Sequence, residues 1–361
     1  MPITRSADRE DITLFAELDA LPLATAPLFA RGARASLFGG EAWYRTVVAH
    51  GMPAGTRPCF ALWPDTDAPL ALFPLRRGVG AAIESLTTPY TCLYAPLFAA
   101  ALDREGIARA GASFGRFARP AGVVRLDALD ADDPGLAALL AGVRRAGLAV
   151  RRFDHFGNWH EPVGGMSWDA YLAARPGALR ETVRRKLRRA ERDPDVTIAL
   201  ATTPAETEAA IPDFEAAYRR SWKEPEPFPS FNAGLMRACA RLGMLRLAVL
   251  RVGGTAAAAQ LWTVEHGRAS VLKLAHDEAF KRHSPGTVLT AWMLRRLLDE
   301  ERMTEIDFGR GDDPYKQQWV SRRRQRIGVL LMNPRHPRGL AALARHDAGR
   351  ARHRVRALLG R

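Results

Sequence analysis

Four side chains in the second half of this chain could move protons. His276 and Asp277 stand together just after a predicted strand, an imidazole beside a carboxylate that could orient it. Neighbours on a strand point to opposite faces, so their cooperation needs a turn between them. The alternative for His276 is a solvated loop histidine. Tyr315 and Lys316 follow in Asp307–Trp319, a loop dense in charged and aromatic groups. There a phenol could give up a proton and an ammonium could pair with a phosphate or carboxylate. The alternative is a loop packed by Tyr315 and Trp319 with Lys316 in solvent. Between the two pairs lies Ser284-Pro285-Gly286. Ser284 suits an N-cap and Pro285 a first helical position, so the Arg282–Thr287 turn opens a helix whose free N–H groups can receive an anion.

The elements that must position these groups follow from periodicity. Leu289, Trp292, Met293 and Leu297 recur at helical spacing after the turn. Strands are expected at Val196–Leu200, Leu245–Val252, Ala256–Val264, Ala269–Ala275, Glu305–Phe308 and Ile327–Met332, with Gly253-Gly254 as a hairpin. Helices are expected at Ala205–Arg220 and Asn232–Leu242, and one from Trp168 to Arg192 is broken at Pro176-Gly177. The first half shows a similar order: helices near Glu10–Leu21 and Glu41–His50, strands at Cys59–Trp63 and Pro69–Leu75, then helices Ile107–Phe117 and Gly135–Ala146. Strands Val123–Leu126 and Leu148–Phe153 lie between and after the last two helices. Hairpin-linked strands followed by a helix and another strand imply a mixed α+β sheet. No G-x-G-x-x-G opens a helix, so a dinucleotide-binding fold is not implied.

Composition bounds the rest. Three cysteines, Cys59, Cys92 and Cys239, are too scattered for a disulfide framework or a cysteine zinc site, which fits a reducing compartment. The nine histidines show no metal-ligand spacing. The N-terminus lacks the apolar core of a signal peptide, and no run reaches the about 18 apolar residues of a membrane span. Pro89–Leu102 reads as buried strand and loop or as the wall of an apolar pocket. The net charge of +14 is local. Leu179–Arg192 carries seven basic residues against two glutamates, Ser321–Arg326 four arginines, and Pro334–Arg361 eight arginines against Asp347. Such patches attract phospholipid headgroups, nucleic acid or CoA phosphates, or are simply solvated.

One order of motifs is familiar. Trp168…Tyr171, Arg180-x3-Arg184-Arg185-Lys186, Ser221-Trp222-Lys223, Ser284-Pro285-Gly286, Asp307-Phe308-x-x-Gly311 and Tyr315-Lys316-x-x-Trp319 together resemble the CelD-like branch of the GNAT acyltransferases. That branch is similar in fold to Fem-type peptidyltransferases, which pair two GNAT domains. The resemblance implies an α+β fold of two tandem GNAT-like domains, each a mixed, mostly antiparallel sheet flanked by helices. These would be residues 1–165 and 166–334, followed by a basic tail, 335–361. It implies acyl transfer from acyl-CoA, a co-substrate rather than a resident cofactor, to a primary amine. Arg282, Ser284, Gly286 and Thr287 would hold the carrier phosphates, and His276, Asp277, Tyr315 and Lys316 would handle protons. Trp222, Lys223, Asp307, Arg310 and Trp319 would bind substrate, with no metal. The turn has one glycine where the usual phosphate loop has two. Some proteins of the branch resemble bacterial ceramide synthases, which implies a long-chain amino base as acceptor and a cytoplasmic protein lying on an anionic membrane. Fem-type relatives take aminoacyl-tRNA instead, and a further alternative is a non-catalytic GNAT-like module in envelope polysaccharide production.

Overall fold

The computed structural model describes residues 12–64, 68–78 and 82–359, with the side chains of 350–359 left aside. Two compact units result. One comprises the chain up to His155 together with that from Gln325 onward, and the other is Phe156–Arg324.

The first unit begins with β1 (Thr13–Phe15), α1 (Ala26–Ala35), α2 (Glu41–His50), β2 (Arg57–Trp63) and β3 (Ala71–Arg77). It continues with β4 (Ile83–Ser85), β5 (Leu97–Phe98), α3 (Arg104–Ala118), β6 (Val123–Asp130) and α4 (Pro134–Arg145). Next comes β7 (Ala149–Pro162), whose last residues belong to the second unit. The expected helix over Glu10–Leu21 is not formed. Glu10 and Asp11 lie outside the described residues, while Thr13–Phe15 pairs antiparallel with β2 and only one 3-10 turn follows. Leu18 is the one buried residue among the described residues of this stretch, too little for an apolar helix face, whereas the open edge of β2 supplies hydrogen-bond partners.

The second unit contains α5 (Trp168–Ala173), α6 (Gly177–Arg192), β8 (Val196–Ala201), α7 (Pro204–Arg219) and α8 (Phe231–Arg241). These are followed by β9 (Leu245–Val252), β10 (Thr255–Glu265), β11 (Arg268–His276), α9 (Pro285–Asp299), β12 (Glu305–Arg310) and α10 (Lys316–Trp319). Then β13 (Arg322–Met332) leads back to the first unit, where α11 (Pro337–Leu359) ends the described chain. Within the second unit the sheet order is β7-β12-β11-β10-β9-β8.

Local chemistry accounts for these elements. Gly253 and Gly254 adopt φ of +55° and +78° and close the β9–β10 hairpin, a conformation that β-carbons resist. Thr203 and Glu206 form a reciprocal capping box at the start of α7. The alanine-rich β10 is buried along nearly its whole length, because α7 and α9 both pack on it. Leu289, Met293 and Leu297 are fully buried in the α9 seam, with Trp292 at its margin.

Candidate active site

The site begins where two strands part. β11 and β12 run parallel, in register only from Arg268–Ser270 against Glu305–Asp307. Beyond Ser270, β11 keeps β10 on one side, with Lys273 opposite Leu261 and His276 opposite Ala258, and has no register with β12 on the other. On that side the peptide groups of β11 have no strand partner over this stretch. A short 3-10 turn, Glu278–His283, then carries the chain from the end of β11 into α9.

Ser284 occupies the N-cap position of α9 in a left-handed conformation, φ 52° and ψ 48°, and its side chain makes no cap hydrogen bond. Capping needs an extended residue to aim its oxygen at the first turn, and this geometry does not supply it. The first backbone bond at the helix start is donated by Val288 N–H to Ser284 O at 3.1 Å. Gly286 and Thr287 N–H therefore emerge uncapped at the positive end of the helix. Arg282 is exposed beside them, its Nε 3.0 Å from His283 Nε2. Lys186 of α6 donates to the Arg282 carbonyl at 3.1 Å and holds the turn in place.

His276 packs against this helix start. A β-carbon built on Gly286 would lie 3.2 Å from its Nδ1, so glycine is what lets the imidazole approach. Its Nε2 is 3.2 Å from a Glu278 oxygen, and the Trp222 ring lies 4.5 Å away between centroids. Burial lowers the His276 pKa, with Glu278 opposing the shift, which favours a neutral ring. The expected His276–Asp277 pairing is not made. Asp277 is buried, accepts from Arg220 Nε at 2.5 Å and caps the 3-10 turn through Ala279 N–H at 2.9 Å. Glu278 is the carboxylate that meets the imidazole.

The loop after β12 divides its residues between scaffold and site. Asp307 is buried, accepting from Asn158 Nδ2 and Gly309 N–H, each at 2.6 Å, and pairing with Arg324. Lys316 is 3% exposed, and its Nζ donates to the carbonyls of Arg310 at 2.6 Å and Gly311 at 3.2 Å, with Asp313 at 3.1 Å. Its ammonium thus clamps the loop instead of standing in solvent. Trp319 is buried, and its carbonyl accepts from the Tyr171 hydroxyl and from Arg175. Arg310 stacks over Phe156 at 4.3 Å. Tyr315 stays 38% exposed, edge-on to Phe308, and burial of its ring raises its pKa so that the hydroxyl keeps its proton.

The Pro-rich segment between α7 and α8 borders a cavity of about 340 Å³. Phe214, Tyr218, Lys223, Pro225, Glu226 and Asn232 form much of its wall. Glu226 is paired with Lys273 of β11 at 2.5 Å and hydrogen-bonds Tyr218. Lys223 is half-buried, 5.7 Å from the ring centres of both Tyr218 and Trp222. Burial and the neighbouring Lys273 push its pKa down to about 8. Gln260, by contrast, is a satisfied core residue: it accepts from Trp262 and donates to Thr290, both at 2.8 Å. Tyr218, Glu226, Asn232 and Glu278 carried no signal of their own in the sequence. The clustered prolines of Glu224–Ser230 were the available hint of a covering loop.

Comparison with known proteins bears on the fold that carries these residues. Residues 177–317 match the family model of the acetyltransferase (GNAT) domain. The crystal structure of FemX is similar at 11% identity, covering 82% of this chain and 92% of that one, with a TM-score of 0.55. A conserved protein of unknown function from Bacteroides thetaiotaomicron is similar at 11% identity over 81% and 89%, TM-score 0.52. A tandem GNAT protein from the clavulanic acid pathway matches at 15% identity over 89% and 98%, TM-score 0.49. No curated protein matches the sequence. At such identities the structures speak for the fold alone, a mixed sheet flanked by helices. The second half of this chain carries a GNAT acetyltransferase domain, the domain of an N-acyltransferase.

Proposed function

We propose that the protein moves an acyl group from acyl-CoA to a primary amine in the gap between β11 and β12. The observation that carries this reading is the loss of β11–β12 register after Ser270, on a strand that leads into the uncapped start of α9. Gly286 and Thr287 N–H, with Arg282 beside them, would hold the pyrophosphate. Free N–H groups along β11 would receive the carbonyl oxygen as it becomes an oxyanion. His276, neutral and held by Glu278, takes the proton as the amine nitrogen bonds to the thioester carbon. The C–S bond then breaks, and Tyr315 protonates the departing thiolate. Trp222 and Lys223 face the acceptor, while Asp277, Asp307, Lys316 and Trp319 hold the frame.

The likeness to the CelD-like branch extends this reading to a long-chain amino base, with α11 as the part that would meet an anionic bilayer on the cytoplasmic side. A primary amine is the acceptor class proposed, and the long-chain base is one member of it. A second reading has its own support. The cationic helix α6 reaches the turn through Lys186, and a polyanion such as tRNA would lie along it. Thermal stability with acetyl-CoA, palmitoyl-CoA, free CoA and bulk tRNA at matched ionic strength separates the two. A ligand at about 100 times its Kd adds roughly 2.7 kcal/mol to the native state. Stabilisation by the CoA species is expected, and a response to tRNA alone sinks the acyl-CoA reading.

A further inference from the structure

The cavity under the α7–α8 segment holds an ammonium that meets two rings but no carboxylate in an ion pair, and a carbonyl oxygen with no donor. Among the described residues Lys223 has no ion-pair partner, although it is half-buried and its neighbour Lys273 is matched by Glu226. Asn232 is 6% exposed, and its Oδ1 accepts from no described group. Both line the same space. A half-buried cation without a counter-charge and a buried carbonyl without a donor are each unfavourable, and each is relieved by an occupant of complementary chemistry.

The sign of the lining narrows that occupant. Lys223 and Glu226 line the space, and Glu226 is matched by Lys273 behind it as Asp313 is by Lys316, which leaves the Lys223 charge over, while Glu215 and Arg219 at the exposed rim carry one of each sign in solvent. An acceptor bearing only an amine is itself a cation at neutral pH and would add to the imbalance. One that carries a carboxylate as well adds no net charge and gives Lys223 a counter-ion. Lys223 is a single ammonium point charge, which one carboxylate suffices to pair. Phe214, Pro225 and the Tyr218 ring give the rest of the wall an apolar character. At about 340 Å³ the space is at the small end of the roughly 300–1,000 Å³ typical of small-molecule sites.

We infer that this cavity binds an amino-acid-type acceptor, whose carboxylate pairs with Lys223 and whose N–H groups reach Asn232 Oδ1 while its side chain lies on Phe214 and Pro225. The inference rests on the reading of the protein as an acyltransferase to primary amines, and it narrows that class away from a long-chain base that lacks a carboxylate.

A matched pair of probes tests it on the full chain by calorimetry: L-phenylalanine and phenethylamine, which differ only in the carboxylate. Phenylalanine is expected to bind about tenfold tighter or better. Lys223→Met removes that preference, and Lys223→Arg retains it. Asn232→Leu weakens both probes without lowering the melting temperature, since it removes an unanswered polar group from the interior. Equal affinity for the two probes, affinity for neither, or a preference that survives Lys223→Met overturns the inference. Acetyl-CoA binding is titrated in parallel. Its absence together with an intact carboxylate preference condemns the acyl-transfer reading and spares the cavity assignment.

Discussion

The two units share a layout and differ at the place where it counts. In each, a short parallel strand pair is joined by a crossover containing a helix: β4 with β6 around α3, and β11 with β12 around α9. In the first unit the crossover closes on itself. Asp103 caps α3 by accepting Gly106 N–H at 2.7 Å, which answers a free donor and places a negative charge at the helix start. Ser85 of β4 accepts from Asp127 N–H of β6 at 2.9 Å, and Tyr94 N–H donates to the Ala128 carbonyl at 2.8 Å. Thr87, Thr88, Thr91 and Tyr94 are buried in the same stretch, with Tyr94 bound through its hydroxyl to Pro74 O. The chain's own groups thus answer the peptide groups beside the pair. In the second unit the helix start is uncapped, carries no acidic side chain in its first turn, and has an imidazole against it. One crossover is scaffold and the other is suited to an anionic ligand.

The largest effect is expected at the imidazole, which has no counterpart at the end of β4. His276→Ala should lower kcat by about 10²–10⁴, the usual contribution of a general base. The pH profile sharpens this test. The base must be neutral, and burial holds its pKa below 6.5 with Glu278 opposing and Lys281 assisting. The rate should therefore sit on its plateau at pH 7 and fall only as pH drops through a value under 6.5. An acid limb centred above 6.5, or a near-normal rate in the variant, removes His276 from the mechanism.

A substitution in the first unit should affect stability and leave the donor site alone. A β-carbon on Gly142 of α4 would overlap Ala108 O of α3, so those helices touch backbone to backbone. Gly142→Ala should lower unfolding free energy by about 1–3 kcal/mol through overpacking. Urea melts should record that loss while CoA affinity, measured on the folded fraction, stays as it was. A CoA affinity that falls with Gly142→Ala breaks the division of roles.

Much of the second unit was legible, for reasons that particular residues make plain. Gly253-Gly254 marked a hairpin because φ above zero at two successive residues calls for glycine, and Leu289, Met293 and Leu297 marked a helix because three buried faces recur at its period. Pairwise geometry was not legible. Asp277 adjoins His276 in sequence, yet it serves Arg220, and the next residue serves the imidazole. A sequence reading leaves the Lys316 ammonium to a phosphate or carboxylate or to solvent, whereas the carbonyls of Arg310 and Gly311, which nothing in a sequence marks, and Asp313 take it up. The parting of β11 from β12 depends on register, which no single strand encodes. Helix near Glu10–Leu21 failed for a related reason: an open strand edge elsewhere offered Thr13–Phe15 better partners.

The helix starts supply the next contrast. Ser284→Asp gives α9 the charge that α3 already has, and like-charge repulsion against a pyrophosphate should weaken CoA binding about tenfold, the loss of a favourable terminus plus one adverse charge. The effect should shrink as salt rises, because the turn is near solvent. Unchanged affinity at low ionic strength places the phosphates somewhere other than Gly286 and Thr287.

The reciprocal change is the smallest and the most discriminating. Asp103→Ala removes the α3 cap and should cost about 1 kcal/mol of stability, while Asp103→Ser, which can still accept from Gly106 N–H, should recover most of it. Neither should create CoA binding in the first unit, because Ser85 and Tyr94 still answer the peptide groups beside the β4–β6 pair. Uncapping a helix is then insufficient by itself, and a ligand needs open strands as well as an open helix start. A second equivalent of CoA bound by Asp103→Ala would show that the cap alone kept the first unit closed, and the contrast between the two crossovers would reduce to one carboxylate.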